Sequence, residues 1–363
     1  MKPWSPDTDR ESCVRRYGNM RQICGLKRHV LSDGRARGVE AVDVDTGGGL
    51  RFTLLPGRGM DVSELRYRGV PLAYLSKAGV TAPSLHDARE SQWLKSFFAG
   101  ALTTCGLSNA GPDVRDGVGL LDDVPFGLHG DISNTCADNV CTFEDWEDGV
   151  YRLRVSGRME EGRLHGEHLQ LRRSVHTALG ERRFFVEDVF TNLGERPEML
   201  MFFYHINFGH PLLGSGARFA APSRRVWAES PQAKAGFSAY ARCAPPQPGY
   251  LEQQFFHEMG ADAQGNSLCA LINDELELAV YLKYSVRELP CFAQWKVLRD
   301  AEYVFAFEPG NCHPIGRLAQ KARGAAEYLS PMQSRAARFE IGVADGPEEI
   351  AALEDAIAKR REN

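Results

Sequence analysis

Nine cysteines, an odd number, are spread along this 363-residue chain without one Cys-x-x-Cys pair. That leaves no zinc-ribbon ligand set, no thioredoxin-type motif and no disulfide framework. A basic excess is missing too. Lys and Arg total 43 against 48 Asp and Glu, a formal charge of −5, which offers no footprint for nucleic acid and no attraction to an anionic membrane. No apolar run approaches the length that spans a bilayer, and residues 1–16 are polar and charged, without the apolar core of a signal peptide. GxSxG, Walker A and Rossmann glycine patterns are absent, which argues against the common hydrolases, nucleotide enzymes and dehydrogenases. These absences predict a cytoplasmic protein with reduced thiols and a small, neutral partner. Cys24, Cys269 and Cys291 lie in apolar surroundings, where a thiol behaves as a small hydrophobe.

What is present is a period of two. Residues 39–44 (Val-Glu-Ala-Val-Asp-Val) alternate strictly, and 50–55 follow after three glycines. Further strand-like runs are 150–155, 168–176, 183–191, 199–206, 276–284, 293–298, 303–307 and 337–343. The 36 glycines and 19 prolines fall singly between such runs, as turn residues do. Many close-spaced strands with little helical pattern between them predict an all-β sandwich or barrel-like architecture. Residues 84–98 predict one or two helical turns. Residues 347–361 open on proline, with acids first and bases last, and predict a surface helix matched to its dipole. No repeat, linker or low-complexity stretch divides residues 1–363, so one domain is expected.

Four stretches fit neither ordinary strand nor turn. In Gly57-Arg58-Gly59-Met60-Asp61, Arg58 and Asp61 either form a local ion pair or line a cavity, where a flat guanidinium suits sugar hydroxyls. Residues 98–111 are small and include Cys105, expected to be a buried thiol, and are followed by Gly127-Leu128-His129-Gly130, with an imidazole between glycines. In Phe203-Tyr204-His205-Ile206-Asn207-Phe208, alternation puts Phe203, His205 and Asn207 on one face. Two buried polar groups there need partners or a wet cavity, since leaving one unpaired costs about 1–3 kcal/mol. Last, Gln294-Trp295-Lys296 precedes Phe307-Glu308-Pro309-Gly310-Asn311. Glu308 at the end of an apolar strand is poorly solvated, which raises its pKa and makes it a better base near neutrality. The plainer reading is an acid salt-bridged to Lys296 or Arg317. His165 and His168 point to opposite faces of a strand with no third ligand, so no metal is expected.

Taken in order, Gly57-Arg58-Gly59-Met60-Asp61, Thr103-Thr104-Cys105-Gly106-Leu107, Gly127-Leu128-His129-Gly130, Tyr204-His205-Ile206-Asn207-Phe208-Gly209 and Glu308-Pro309-Gly310-Asn311 resemble the galactose mutarotase-like (aldose 1-epimerase) superfamily. The chain is most similar to its DUF4432 branch, from about residue 17 to 343. The resemblance implies a large antiparallel β-supersandwich with a few short helices and an open sugar-binding face. It also implies an isomerase of carbohydrate metabolism that interconverts sugar anomers without a cofactor. Glu308 would take the proton of the anomeric hydroxyl, and His205 would protonate the ring oxygen. His129 would bind the sugar, with Arg58, Asp61, Asn207, Gln294, Trp295, Lys296, Asn311 and Arg317 as further substrate-binding candidates. Trp295 would stack on a sugar face, while Lys296 and Arg317 hint at an anionic group. Glu252 or His257 stands where mutarotases carry a hydroxyl-gripping aspartate. Asp131 replaces the branch's arginine, and Ser330-Pro331-Met332-Gln333 replaces Pro-Gly-Glu. The alternatives are proton abstraction beside a keto group on the same scaffold, by another isomerase or a lyase, and a carbohydrate-binding protein without turnover. Monomer and homodimer both stay open.

Overall fold

The structure, a computed structural model, describes Pro6 and residues 8–362. Every strand pairing in it is antiparallel. A five-stranded meander runs through Gly25–Val30, Glu40–Asp45, Leu50–Leu55, Asp61–Tyr67 and Val70–Pro71. An eight-stranded sheet follows the order Arg218–Ala220, Asn266–Asn273, Leu278–Ser285, Ser334–Asp345, Arg183–Asn192, His168–Ala178, Val150–Gly162 and Asp138–Glu147. The third sheet has seven strands. Its order is Ser223–Trp227, Gln253–Met259, Cys291–Arg299, Glu302–Gly310, Glu198–Phe208 and Glu327–Leu329, and Thr103–Leu107 also pairs with Glu198–Phe208. Val114–Val118 and Leu121–Phe126 make a separate hairpin.

The sheets hold together through one shared apolar interior. Phe52 and Leu54 of the meander, Phe184, Phe190 and Ile341 of the eight-stranded sheet, and Phe202, Tyr204 and Phe307 of the seven-stranded sheet belong to a single cluster. Phe190 stacks on Phe202 with ring centroids 4.0 Å apart, and Phe52 stacks on Phe184 at 4.5 Å. Each such ring contributes roughly 1.5–3 kcal/mol by leaving water. The long outer strands obey the period of two: along Val150–Gly162, Tyr151, Leu153, Val155 and Met159 point inward and polar residues point out. Glu198–Phe208 differs, because all eleven of its residues are buried. One face packs into the core; the other is covered by the segments that carry Trp93, Phe97 and His129. That second face carries His205.

The expected strands are all present, several with longer ends. The 84–98 stretch makes two short 3₁₀ turns, Pro83–Leu85 and Glu90–Lys95. The C-terminal helix, Pro347–Glu362, is more than an appendage. Its Ile350 and Ile357 cover Leu268, Ala270, Ile272 and Ala279 on the outer face of the eight-stranded sheet. None of the nine cysteines is in a disulfide; Cys24 and Cys269 are buried and Cys291 is partly so. No helix among the described residues is long and apolar enough to cross a membrane.

Candidate active site

Strand register brings the two central residues together. Phe203 pairs with Gly310 and Ile206 with Phe307, which sets His205 directly opposite Glu308 on the neighbouring strand. Both side chains rise on the face away from the core, and His205 Nε2 lies 3.2 Å from Glu308 Oε1. The same row continues across the sheet through Ala293, Phe256 and Trp227. The residues beside the pair, Ala293 and Ala306, are small.

His205 is 5% exposed and Glu308 2% exposed, so neither charge is well solvated. Burial pushes the Glu308 carboxyl up to about 8, partly offset by the Gln254 amide, which donates from Nε2 to Oε2 at 3.1 Å. Burial pushes His205 down to about 3, with a small opposing effect from the Asn207 amide. Asn207 Oδ1 and His205 Nδ1 have no hydrogen-bond partner with good geometry among the described residues. An Nδ1–H tautomer aimed at Asn207 would satisfy both and leave Nε2 as the acceptor facing Glu308. At neutral pH the favoured state is therefore a neutral acid beside a neutral base, with the pair's proton on Glu308.

Aromatic rings and a second imidazole wall this pair. Phe97 lies 5.1 Å and Trp295 5.2 Å from the His205 ring, centroid to centroid. His129 sits in the left-handed region at φ 59 and packs edge-on against Trp93 and Phe203. Its Nδ1 accepts the Gly111 N–H at 3.1 Å, which puts the ring proton on Nε2 and makes that edge a donor. Burial and the nearby His205 lower His129 to about 3, so it donates as a neutral ring. Trp295 donates its indole N–H to exposed Glu252 at 3.1 Å.

Several residues expected at the sugar are elsewhere, and in each case the donors are already committed. Arg58 is buried with its guanidinium donating to the carbonyls of Ser133, Thr81 and Ser96 at 2.7, 2.5 and 3.0 Å. Asp61 is fully buried and accepts from Thr104 and Arg173 rather than from Arg58. Asn207 spends its amide hydrogens on Gly100 and His205 carbonyls, so it can orient the imidazole but does not reach a ligand. Alternation separates Trp295 from its neighbours. Gln294 and Lys296 point to the opposite, core-side face, where Gln294 donates to the Tyr240 carbonyl and Lys296 to those of Ala239, Tyr240 and Arg242. His257 shares that face and contacts Phe292 and Ser223. Asn311 ties Phe202, Leu200 and Glu327 together. Arg317 is paired with Asp116 and the Ser108 carbonyl. Neither Lys296 nor Arg317 forms an ion pair with Glu308. Cys105 is fully buried against Phe203, and burial holds its thiol well above the ordinary range.

Residues that sequence reasoning passed over are as informative. Gln254 holds Glu308, Phe97 lies against His205, and Trp93 stacks on Phe97. Glu161 accepts from the Leu107, Ser108 and Asp131 amides at 2.8, 3.0 and 3.2 Å, which fixes the loops on either side of His129. Burial raises its carboxyl to about 7. An acid at an inward position of the alternating strand Val150–Gly162 was the available signal for it. Glu167 and His168 are engaged with Arg163 and Glu160. Among the described residues no group of three His, Cys, Asp or Glu side chains could hold a metal ion. A hollow of about 850 Å³ lies on the meander, but its charges pair with one another: Arg21 with Glu144, Arg51 with Asp45, Arg66 with Glu64.

Known proteins place the chain in a family. Residues 36–343 match the family described as a domain of unknown function, DUF4432. A "putative aldose 1-epimerase" from Klebsiella pneumoniae superposes with a TM-score of 0.86 at 25% identity, covering 93% of this chain and 87% of the other. A galactose mutarotase-like protein from Clostridium acetobutylicum gives 0.62 at 14% identity, over 89% of this chain and 99% of that one. Galactose 1-epimerase from Lactobacillus acidophilus gives 0.55 at 10% identity, over 89% and 100%. Among curated proteins none matches the sequence. Three antiparallel sheets around one interior, together with the match across most of the chain, establish that the protein belongs to the DUF4432 family and has the galactose mutarotase-like fold.

Proposed function

We propose that the protein is an isomerase that interconverts the anomers of a free sugar, with Glu308 as base and His205 as acid. The observation that carries this reading is the buried pair, 3.2 Å apart, with Glu308 raised to about 8 and His205 lowered to about 3. Transfer of the shared proton from Glu308 to His205 gives a carboxylate and an imidazolium without changing the net charge. From that form Glu308 takes the anomeric O–H proton while His205 delivers its own to the ring oxygen. The bond between the anomeric carbon and the ring oxygen breaks, a carbonyl forms, and the pair returns to its neutral state. Rotation about the next carbon–carbon bond and the reverse transfers close the ring on the other face. No proton leaves to solvent. His129, whose ring proton is on Nε2, supplies a neutral donor to the sugar, and Trp295 supplies an aromatic face with Glu252 beside it.

Polarimetry, or saturation-exchange NMR between anomers, on a panel of aldoses tests this. Glu308→Gln should lower exchange by about 10²–10⁴-fold, the order expected when a general base is lost, with the circular dichroism of the folded chain retained. Exchange at the wild-type rate in that variant would remove the mechanism. Uptake of solvent deuterium at carbon would replace it with proton abstraction beside a keto group, since simple ring opening leaves every C–H bond intact. The mobile proton also sets a pH limit. Activity should fall as pH rises through about 8, where Glu308 loses the proton that the pair shares.

A further inference from the structure

A loop holds His129, and one carboxylate holds the loop. The Gly106 N–H donates to the His129 carbonyl at 2.8 Å, and the His129 N–H donates to the Gly111 carbonyl at 3.0 Å. The Gly111 N–H then reaches His129 Nδ1 at 3.1 Å. This wrap has no slack, since a Cβ at Gly130 would collide with the Gly106 carbonyl oxygen. Glu161, from the strand Val150–Gly162, closes the arrangement. Its Oε1 accepts the Leu107 N–H at 2.8 Å and the Asp131 N–H at 3.2 Å. Its Oε2 accepts the Ser108 N–H at 3.0 Å and the Ser108 hydroxyl at 2.9 Å. The same side chain therefore joins the middle of the loop to the residue two past His129.

All four partners are donors, and none is a cation. An ionised carboxylate offers about four lone-pair sites, and here each is taken. Protonation brings a further hydrogen into that ring, so the Ser108 hydroxyl must turn or an amide must let go. Two charged groups stand near. Asp131 is held by His86 Nε2 at 3.0 Å, and Arg317 grips the Ser108 carbonyl at 2.8 Å while paired with Asp116. Burial first, then the Asp131 charge, pushes the Glu161 carboxyl up to about 7 against the pull of its donors. His129 itself is held far below, at about 3. Resting on the anomer-exchange reading, we propose that Glu161 is a positioning residue for that reaction. Ionised, it keeps the Gly111 N–H on Nδ1 and the ring proton of His129 on Nε2; protonated, it releases the loop and with it that donor.

Nitrogen-15 NMR of the full chain reads the His129 tautomer without turnover. Wild type at pH 8 should show the Nε2–H form. At pH 6, and in Glu161→Gln at either pH, the Nδ1–H form should appear beside it. A tautomer unmoved by pH and by the substitution would overturn the proposal. Anomer exchange reads the consequence. Wild-type kcat/KM should fall as pH drops through about 7, an acid limb opposite in direction to the alkaline fall set by Glu308. Glu161→Gln should remove that limb and lower kcat/KM about ten-fold at pH 8, the effect of one lost hydrogen bond. In a His129→Ala background it should cost nothing further; a fully additive loss would reduce Glu161 to a prop for the fold and overturn its role. Ser108→Ala keeps the carboxylate and removes one donor, so the acid limb should move to higher pH by about one unit or less, and an unmoved limb would count against the hold. The tautomer is read whether or not anomers exchange, so either idea can fail without the other.

Discussion

The two faces of the seven-stranded sheet treat buried charge in opposite ways. On the core side, Arg173 bridges Asp61 and Asp188 at 2.9 and 2.7 Å, and Tyr204 donates to Asp188 at 2.6 Å. Lys296 spends its ammonium on three carbonyls. Every charge there has fixed partners, so these groups hold the strands in place and have nothing left to react with. On the site side, Glu308 has one amide donor and an imidazole, and His205 Nδ1 has only the Asn207 amide near it. Few partners and little water hold that pair as a neutral acid beside a neutral imidazole. The difference teaches that burial alone does not mark a reactive group. What marks it is burial with too few partners.

Breaking the core side should have the largest effect. Arg173→Met strands two buried carboxylates and should cost about 3–5 kcal/mol. Urea unfolding would check this, and a loss below 1 kcal/mol would erase the contrast. The site side predicts the reverse sign. Glu308 has a folded pKa raised to about 8, against about 4.3 when unfolded. Its contribution to stability is full below about pH 4 and is lost as pH rises through 8, because the unfolded chain releases the proton first. Glu308→Gln should therefore flatten that decline and leave the variant more stable than wild type at pH 8–9 by up to a few kcal/mol. Thermal unfolding at pH 5 and pH 8.5 would show it; parallel pH dependence in the two proteins would not fit. The smallest effect concerns Gln254. Its hydrogen bond lowers the Glu308 pKa, so Gln254→Leu should move the alkaline fall in activity to higher pH, by about one unit or less, given the roughly 1 kcal/mol worth of one hydrogen bond. An unmoved or lowered limb would deny Gln254 that role.

Much of this was legible beforehand where one face of a strand meets water. Residues 150–155, 168–176 and 183–191 alternate because the eight-stranded sheet has one wet face. Asn266–Asn273 hid itself for the opposite reason: Ile350 and Ile357 of the C-terminal helix cover its outer face, so the segment is buried from Ser267 onward and shows no alternation. Asp138–Glu147, at the sheet's edge, carries charges instead of an apolar stripe. His205 and Glu308 stood out as polar groups in apolar strands. Arg58, Lys296 and Arg317 stood out equally, and only their hydrogen-bond partners set them apart.

The period of two and the turn residues are local properties, so the chain alone determined that it forms strands, that it builds an antiparallel β protein, and which polar residues would be buried. Which of those residues meet depends on register between segments a hundred residues apart. Asn207 and Glu308 therefore acquired their neighbours, and Gln254 its hold on the carboxyl, only when the sheet closed.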